Sequence, residues 1–294
     1  MQQRKFNSSV FKALGAFSEA VASGNRMQIK NQLCALAKNP LFQGKSWQEN
    51  IMKFLSVLLH ESPVYSVFAK GNSKLPFYSF SALPGVTCPG AGECLDFCYS
   101  FRSWRYPAAF FRQAQNTYLL RTERGKRNIA LAMANLKKGS SVRLYVDGDF
   151  DSVSTVEYWM HTIRENPSLN VYGYSKSFTE LLTYSYRHTG KPLKGFPDNY
   201  TLNISSGHNA NAFTLQAVRS LPIVRGEFVA VSIGNKVKAK DYGTKRVNDA
   251  IRAKFAEYVK VFPCPGKCGT CTSVGHACGN RAVFGGKTIA IAVH

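Results

Sequence analysis

Short apolar runs alternate with amphipathic segments over most of this 294-residue chain, and this alternation restricts the possible folds more than any other feature. Strands separated by helices pair in parallel, because each helix carries the chain back across the sheet. We predict an α/β fold, with a parallel sheet or a partial (β/α) barrel. The strands are expected at 78–83, 142–146, 169–174, 200–204, 228–233 and 288–293. The helices between them are expected near 107–122, 127–138, 153–165, 178–188, 210–220 and 245–259.

Three further helices are predicted ahead of the first strand, near 9–22, 26–38 and 47–61. Ser46 and Glu49 have the spacing of a capping box at the start of the third of these helices. We therefore divide the chain into a basic N-terminal helical region, residues 1–62, and an α/β core, residues 63–294. The three helices form either a packing layer or a helix-turn-helix-like DNA reader, and both alternatives stay open.

The charge of the chain predicts a polyanionic partner. Lys and Arg number 38 against 17 Asp and Glu, which leaves a formal net charge of +21. Nucleic acid is favoured over a membrane because the basic residues are spread along the chain among aromatic rings. No run reaches the roughly 18 apolar residues of a membrane span, and Lys12 and Glu19 interrupt the N-terminal apolar segment. We expect a cytoplasmic protein with no membrane partner.

Seven of the eight cysteines fall in two groups with the short spacings of metal ligands. The first group, Cys88, Cys94 and Cys98, lies in a Gly- and Pro-containing loop directly after the first predicted strand. Three thiols leave one coordination position for a substrate or cofactor, which suits reactive chemistry. The second group supplies four ligands, which suits a closed structural site, with His276 as a substitute ligand. Its members are Cys264, Cys268, Cys271 and Cys278.

Disulfides are the competing explanation for these cysteines, but they need an oxidising compartment, which the expected cytoplasmic location does not provide. Thiolates bind both zinc and iron–sulfur clusters, so the metal stays open between the two. The three-ligand loop after the first strand favours iron–sulfur at the first group.

Two segments combine features that suit nucleic-acid binding. The first interleaves cations with aromatic rings, and such a mixture suits single-stranded DNA because cations bind phosphates while rings stack on bases. The second follows the run 228–233 and is basic without an apolar pattern, as in a phosphate-binding loop. The predicted contact residues are Arg102, Trp104, Arg105, Tyr106, Arg112, Arg121, Arg124, Lys126, Arg127, Lys236, Lys238 and Lys240.

Asp147 and Asp149 are the candidate catalytic residues. Both follow the run 142–146, in the region where parallel sheets carry active sites, and alternating carboxylates can share a Mg²⁺ ion for phosphoryl transfer. The competing explanation is a strand-to-helix turn in which Asp151 or Ser152 caps the next helix.

Several stretches resemble the phage gene-product-eighty-eight family, over roughly residues 70–280 and without the N-terminal helices. The matching stretches are Gly71 to Leu75, Ser79 to Pro84, Thr87 to Gly90, Cys98-Tyr99, Val146 to Ser152, Val171 to Ser177 and the late cysteine-rich segment. The resemblance implies a phage or plasmid context in a bacterial host cell more than it implies a reaction.

A looser similarity connects the first cysteine group with the radical S-adenosylmethionine enzymes, which carry three cysteines after the first strand of a partial barrel. Here five and three residues separate the cysteines, where that family has three and two. The family spacing occurs instead at Cys264, Cys268 and Cys271, near the other end of the fold.

Three functions follow from these observations. The first is a metal-cluster protein that binds and processes nucleic acid in phage or plasmid DNA replication. The second is an iron–sulfur enzyme that modifies nucleic acid with S-adenosylmethionine. The third is a non-catalytic DNA-binding protein with structural zinc.

Overall fold

The computed structural model of the chain describes residues 8–190, 195–234, 237–269, 271–273 and 275–293. The helices are α1 (Ser8–Ser23), α2 (Arg26–Lys38), α3 (Lys45–His60), α4 (Pro107–Leu119), α5 (Glu123–Ala134), α6 (Val153–Arg164), α7 (Phe178–Arg187), α8 (Ala212–Arg219), α9 (Lys245–Arg252) and α10 (Arg281–Phe284). The strands are β1 (Tyr78–Ser79), β2 (Ser141–Leu144), β3 (Asn170–Ser175), β4 (Tyr200–Ser205), β5 (Val224–Val231), β6 (Val261–Pro263) and β7 (Thr288–Ala292).

All of these strands pair in parallel in one sheet, in the order β1-β2-β3-β4-β5-β7-β6. Consecutive strands are neighbours from β1 to β5, and β7 then inserts between β5 and β6. Because the strands are parallel, they all end at one edge, here called the carboxyl edge. The predicted α/β class with a parallel sheet is confirmed.

The two faces of the sheet are covered by different parts of the chain. Val142, Val171 and Leu202 lie in a hydrophobic cluster with helix residues such as Val156 and Leu181, so the helices cover this outer face. The opposite, inner face carries alternate strand residues, and register places Arg143 beside Tyr172, and Tyr174 beside Asn203. The segment 277–284 packs on this inner face.

The N-terminal helices pack into the same hydrophobic cluster as the outer face of the sheet. The ring of Phe17 in α1 lies 5.2 Å from that of Phe54 in α3 and 5.8 Å from that of Phe111 in α4, centroid to centroid. α3 begins at Lys45 after Gly44, which makes no side-chain cap hydrogen bond. The predicted capping box at Ser46 is therefore wrong, because that residue already lies inside the helix. No helix in the described ranges is both long and apolar enough to cross a membrane.

Candidate functional site

The first cysteine loop, residues 80–98, runs along the carboxyl edge of the sheet. It leaves β1 beside β2, where the backbone N–H of Ala82 donates to the carbonyl of Asp147 at 2.9 Å. It then reaches the end of β4, where the N–H of Gly92 donates to the carbonyl of Gly207 at 3.0 Å. The loop therefore spans the edge at which parallel sheets carry their active sites, as its position in the sequence predicts.

The three cysteines of this loop share one electrostatic environment. Cys88 and Cys94 each interact with Cys98, Asp149 and Lys176. Burial, with a smaller contribution from Asp149, raises the pKa of Cys88 to about 12. Burial also raises the pKa of Cys94. Both side chains are therefore neutral thiols at pH 7, and a bound metal cation would favour their thiolate forms.

Gly90 lets this loop pass very close to the end of β3. A Cβ atom at this position would lie 1.7 Å from the carbonyl oxygen of Lys176. Only glycine permits this approach, which sets the distance between the cysteine loop and Lys176.

Asp149 joins the loop after β2 to the end of β3. Its Oδ1 accepts hydrogen bonds from the Ser175 hydroxyl at 2.7 Å and the Phe150 N–H at 2.8 Å, and its Oδ2 accepts from the Lys176 N–H at 2.7 Å. Both oxygens of this buried carboxylate therefore have protein donors. Asp147 is more open, and its Oδ2 accepts from Gln113 Nε2 at 3.0 Å.

Asp151 takes a structural role, as the competing explanation for the aspartate run predicts. Its carboxylate pairs with Arg121 and accepts from the Thr155 hydroxyl at 2.6 Å. Ser152 caps α6, since its hydroxyl accepts from the Thr155 N–H at 3.2 Å.

A cavity of about 240 Å³ opens beside the first cysteine loop. Lys176 lines it, and its Nζ donates to the Ser205 hydroxyl at 3.0 Å. The other lining residues are Pro89, Gly90, Phe178, Thr179, Glu180, Asn209, Ala210, Asn211 and Thr214. The carboxyl edge thus places the three-cysteine loop beside an ammonium group and a polar cavity. None of the three cysteines lines that cavity, and no three Cys, His, Asp or Glu side chains of the described residues converge on one metal position there.

The second cysteine segment, residues 264–278, covers the inner face of the sheet. It starts at the end of β6, where the N–H of Cys264 donates to the carbonyl of Ala290 at 2.7 Å. It ends at Cys278, which is buried against Tyr172 and Ile289. The side-chain amide of Asn203, a β4 residue, donates a hydrogen bond to the carbonyl of Cys278 at 2.9 Å, and this contact holds the end of the segment against β4.

The four thiols of this segment interact with one another. Burial raises the pKa of Cys264 to about 12, and Cys278, Cys268 and Cys271 act on the same thiol. Burial raises the pKa of Cys278 to about 11. All four are free thiols. Sulfur donors without a disulfide suit zinc or an iron–sulfur cluster, although in this arrangement no three Cys, His, Asp or Glu side chains of the described residues converge on one metal position.

The His276 ring forms a hydrogen bond and aromatic contacts within the protein. Its Nδ1 accepts from the N–H of Gly279 at 3.1 Å, and its ring lies 4.6 Å from the rings of both Phe77 and Tyr172. Burial lowers the pKa of His276 to about 4. His276 also lines a cavity of about 530 Å³, which opens at the edge where β2, β3 and β4 begin.

Some of the side chains predicted to contact nucleic acid are exposed, whereas others are buried or form ion pairs within the protein. Trp104 is only 2% exposed and stacks on Phe11, so its predicted role in base stacking is contradicted by its place in the core. Arg121 pairs with Asp151, and the Lys126 ammonium lies 3.0 Å from Glu123. Arg112 is half-buried, and Lys236 lies outside the described residues. The exposed members are Arg102, Arg105, Tyr106, Arg124, Arg127, Lys238 and Lys240.

Two cations near the thiols were not predicted. Lys176 stands at the end of a strand, which is a recognisable signal in a parallel sheet. Arg143 alternates with apolar residues in β2, a pattern that usually indicates a solvent-facing side chain. The packing of the second cysteine segment on the inner face instead leaves Arg143 half-buried.

The family profile described as Gene product 88 matches residues 59–280. No curated protein and no solved structure matches the chain.

Proposed function

The chain belongs to the Gene product 88 family, and on this premise we propose that it is a metal–thiolate protein that binds and processes nucleic acid, in phage or plasmid DNA replication. The reactive centre is the thiol group of Cys88, Cys94 and Cys98. The second cysteine segment holds a closed structural metal. The observation that carries the proposal is the position of the three-cysteine loop at the carboxyl edge, where Lys176 acts electrostatically on Cys88 and Cys94 and lines a polar cavity beside the loop.

The charge and the exposed cations support nucleic acid as the partner. A formal net charge of +21 favours a polyanion at long range. The segment Tyr99–Arg105 directly follows the first cysteine loop and carries the exposed Arg102 and Arg105. A strand bound there would have its phosphates near these cations and its bases near Tyr106, which is 68% exposed.

Asp147 is the remaining candidate for a catalytic Mg²⁺ ligand, since Asp149 already accepts three hydrogen bonds. In the proposed function Asp149 is instead a positioning residue. It holds the backbone of Lys176 beside the thiols.

Titration of a fluorescent single-stranded DNA at several salt concentrations tests the proposed partner. We expect affinity to fall steeply with salt, and an Arg102→Gln, Arg105→Gln variant to reduce the slope by roughly 0.7 for each phosphate that the variant no longer binds. The matched control is Lys45→Gln, an exposed cation in the N-terminal region. Salt-independent binding, or a slope that the arginine changes leave intact, contradicts the proposal. Incubation of the DNA with the metal-loaded protein and Mg²⁺ then tests processing, and loss of any product in Asp147→Asn is the expected result.

A second candidate function is radical chemistry with S-adenosylmethionine. It is favoured by one arrangement: a three-cysteine loop follows the first of five consecutive parallel strands and borders a cavity of about 240 Å³. Reductive cleavage of S-adenosylmethionine by the iron-loaded protein, absent in Cys88→Ala, would establish this candidate. Salt-dependent DNA binding with zinc alone and no product would instead leave a non-catalytic DNA-binding protein.

A further inference from the structure

The polar cavity at the carboxyl edge lies between two neighbouring strand-to-helix turns. The turn from β3 to α7 contributes Lys176 and the first residues of the helix, Phe178 to Glu180. The turn from β4 to α8 contributes Asn209 to Asn211, and Thr214 follows in the first turn of α8. With a volume of about 240 Å³, the cavity is smaller than the roughly 300–1,000 Å³ of sites for drug-sized ligands, so it fits one small polar group.

One end of this cavity is positively charged. The Lys176 ammonium donates to the neutral hydroxyl of Ser205 at 3.0 Å, and no carboxylate of the described residues lies within 4.0 Å of it. α7 begins two residues after this lysine, and its N-terminus has no side-chain cap from Ser177. The first N–H groups of a helix lack intrahelical partners and carry partial positive charge. An anionic group such as a phosphate suits this end of the cavity.

The other charged group in the cavity wall is the carboxyl group of Glu180, in the first turn of α7. Its own backbone N–H donates to it, and burial raises the pKa of Glu180. This carboxyl group would repel a ligand that is anionic throughout, whereas a ligand hydroxyl could donate a hydrogen bond to it. The suitable ligand therefore combines an anionic group with a neutral hydroxyl, as a phosphorylated sugar does.

An exposed aromatic ring adjoins the cavity. Phe213, the second residue of α8, stands in the sequence between the lining residues Asn211 and Thr214, and it is 80% exposed. Aromatic side chains of this kind stack on nucleobases. A nucleotide whose sugar and phosphate occupied this small cavity would leave its base outside, where an exposed ring is available.

We propose that this cavity binds the sugar and 5′-phosphate of one nucleotide, with the phosphate at Lys176, the 3′-hydroxyl at Glu180 and the base on the ring of Phe213. A free nucleotide and the 3′ terminus of a strand share this chemistry, because both carry a phosphate and a free hydroxyl on one sugar. The inference deepens the proposed nucleic-acid function, on which it rests, by naming the part of the strand that the site takes.

Calorimetric titration of the full-length protein with dAMP tests the cavity. We expect saturable binding that Lys176→Gln weakens about 10- to 100-fold, because the phosphate loses a charged donor. Phe213→Ala, a change at an exposed residue, should weaken binding about 5- to 150-fold, the usual contribution of one stacked base. Lys138→Gln is the matched control, since this exposed lysine precedes β2 at the opposite edge of the sheet, and it should bind dAMP as the parent does.

Two single-stranded DNAs of one sequence distinguish the strand end from the free nucleotide, one ending in a 3′-hydroxyl and the other in a 2′,3′-dideoxynucleotide. Tighter binding of the hydroxyl-ended strand, with the preference lost in Glu180→Ala, would assign the cavity to the 3′ terminus. Equal affinity for the two strands, with dAMP binding that depends on Lys176, would assign it to a free nucleotide.

The inference and the proposed function fail in different ways. Absence of saturable dAMP binding, or dAMP affinity that Lys176→Gln and Phe213→Ala both leave unchanged, overturns the inference, while salt-dependent DNA binding would still support the proposed function. Intact dAMP binding by a protein that shows no salt-dependent DNA binding supports the nucleotide cavity and contradicts the proposed function.

Discussion

The Oδ2 atom of Asp149 accepts a hydrogen bond from the backbone N–H of Lys176 at 2.7 Å. This contact fixes the end of β3 against the loop after β2, directly beside the thiols of the first cysteine loop. It also explains why a carboxylate is needed at a position where burial raises the pKa of Asp149 and so opposes its ionisation.

Asp149→Ala should reduce the free energy of unfolding by about 3 kcal/mol, because it leaves the amides of Lys176 and Phe150 and the hydroxyl of Ser175 without their acceptor. Asp147→Ala, the matched control, removes one hydrogen bond from Gln113 and should cost about 1 kcal/mol or less. Denaturant unfolding of both variants measures the difference. Equal stability of the two proteins would contradict the positioning role and favour Asp149 as a metal ligand.

Gly90→Ala should displace the first cysteine loop, because the new Cβ would lie 1.7 Å from the carbonyl oxygen of Lys176. We expect a stability loss of about 1–3 kcal/mol and loss of the metal bound at the first group, with the second group still loaded. Gly15→Ala is the matched control, since nothing lies within 4 Å of its added methyl group and it sits inside α1. That change should stabilise the protein by about 0.5–1 kcal/mol. Unchanged metal content in Gly90→Ala would contradict the prediction that displacement of this loop removes the metal at the first group.

Trp104→Ala and Tyr106→Ala should have different effects, because Trp104 lies in the hydrophobic core and Tyr106 lies on the proposed nucleic-acid surface. The tryptophan change empties a buried site and should cost about 3–5 kcal/mol of stability. The tyrosine change should leave stability within about 0.5 kcal/mol but weaken single-stranded DNA binding by about 1–3 kcal/mol, the usual contribution of one stacked base. Unfolding and DNA titration of each variant check both statements. DNA affinity unaltered in Tyr106→Ala would remove the ring from the proposed surface.

His276 should make the metal-free protein sensitive to acid. Burial lowers the pKa of His276 from 6.5 to about 4, so the unfolded chain binds a proton at a higher pH than the folded one. The contribution of the neutral His276 ring to the free energy of unfolding is fully present above pH 6.5 and is lost as the pH falls from 6.5 towards 4. Protonation also removes the Nδ1 acceptor used by Gly279.

The variant that isolates this effect is His276→Asn, since asparagine caps a helix start without titrating in this range. Unfolding measured from pH 8 to pH 4 should show a shallower loss of stability in the variant than in the parent. Parallel curves would mean that other groups account for the acid sensitivity.

Most of the architecture was predictable because apolar periodicity and helix ends are local signals. All six expected strands occur, with shifted ends, and the three N-terminal helices were located to within about two residues. β6 was missed because three residues, Val261–Pro263, are too few to show a period. The start of α3 was misplaced because Ser46 and Glu49 have the residue types and spacing of a capping box, whereas the helix begins one residue earlier, at Lys45 after Gly44.

The sequence indicates many of the residues at the candidate site but not how they lie relative to one another. Cysteine spacing placed Cys88, Cys94 and Cys98 in one loop and the four later cysteines in one segment, and metal binding by either group stays a prediction. The prediction for Trp104 was wrong because its neighbours in the sequence, Arg102 and Arg105, do not reveal whether the ring is exposed or buried. Aromatic residues lie among arginines both on nucleic-acid surfaces and at the edge of a hydrophobic core. Arg143 and Lys176 come from different strands than the thiols they approach, and only the folded sheet relates them.

The most direct test of the metal–thiolate proposal is metal and sulfide analysis, with an absorption spectrum, of protein purified without oxygen, together with Cys88→Ala and Cys264→Ala. We predict two bound centres: a broad band near 400 nm that is lost in Cys88→Ala, and a second metal that is lost in Cys264→Ala. Protein that contains neither metal nor sulfide, or metal content that both changes leave intact, would contradict the proposal.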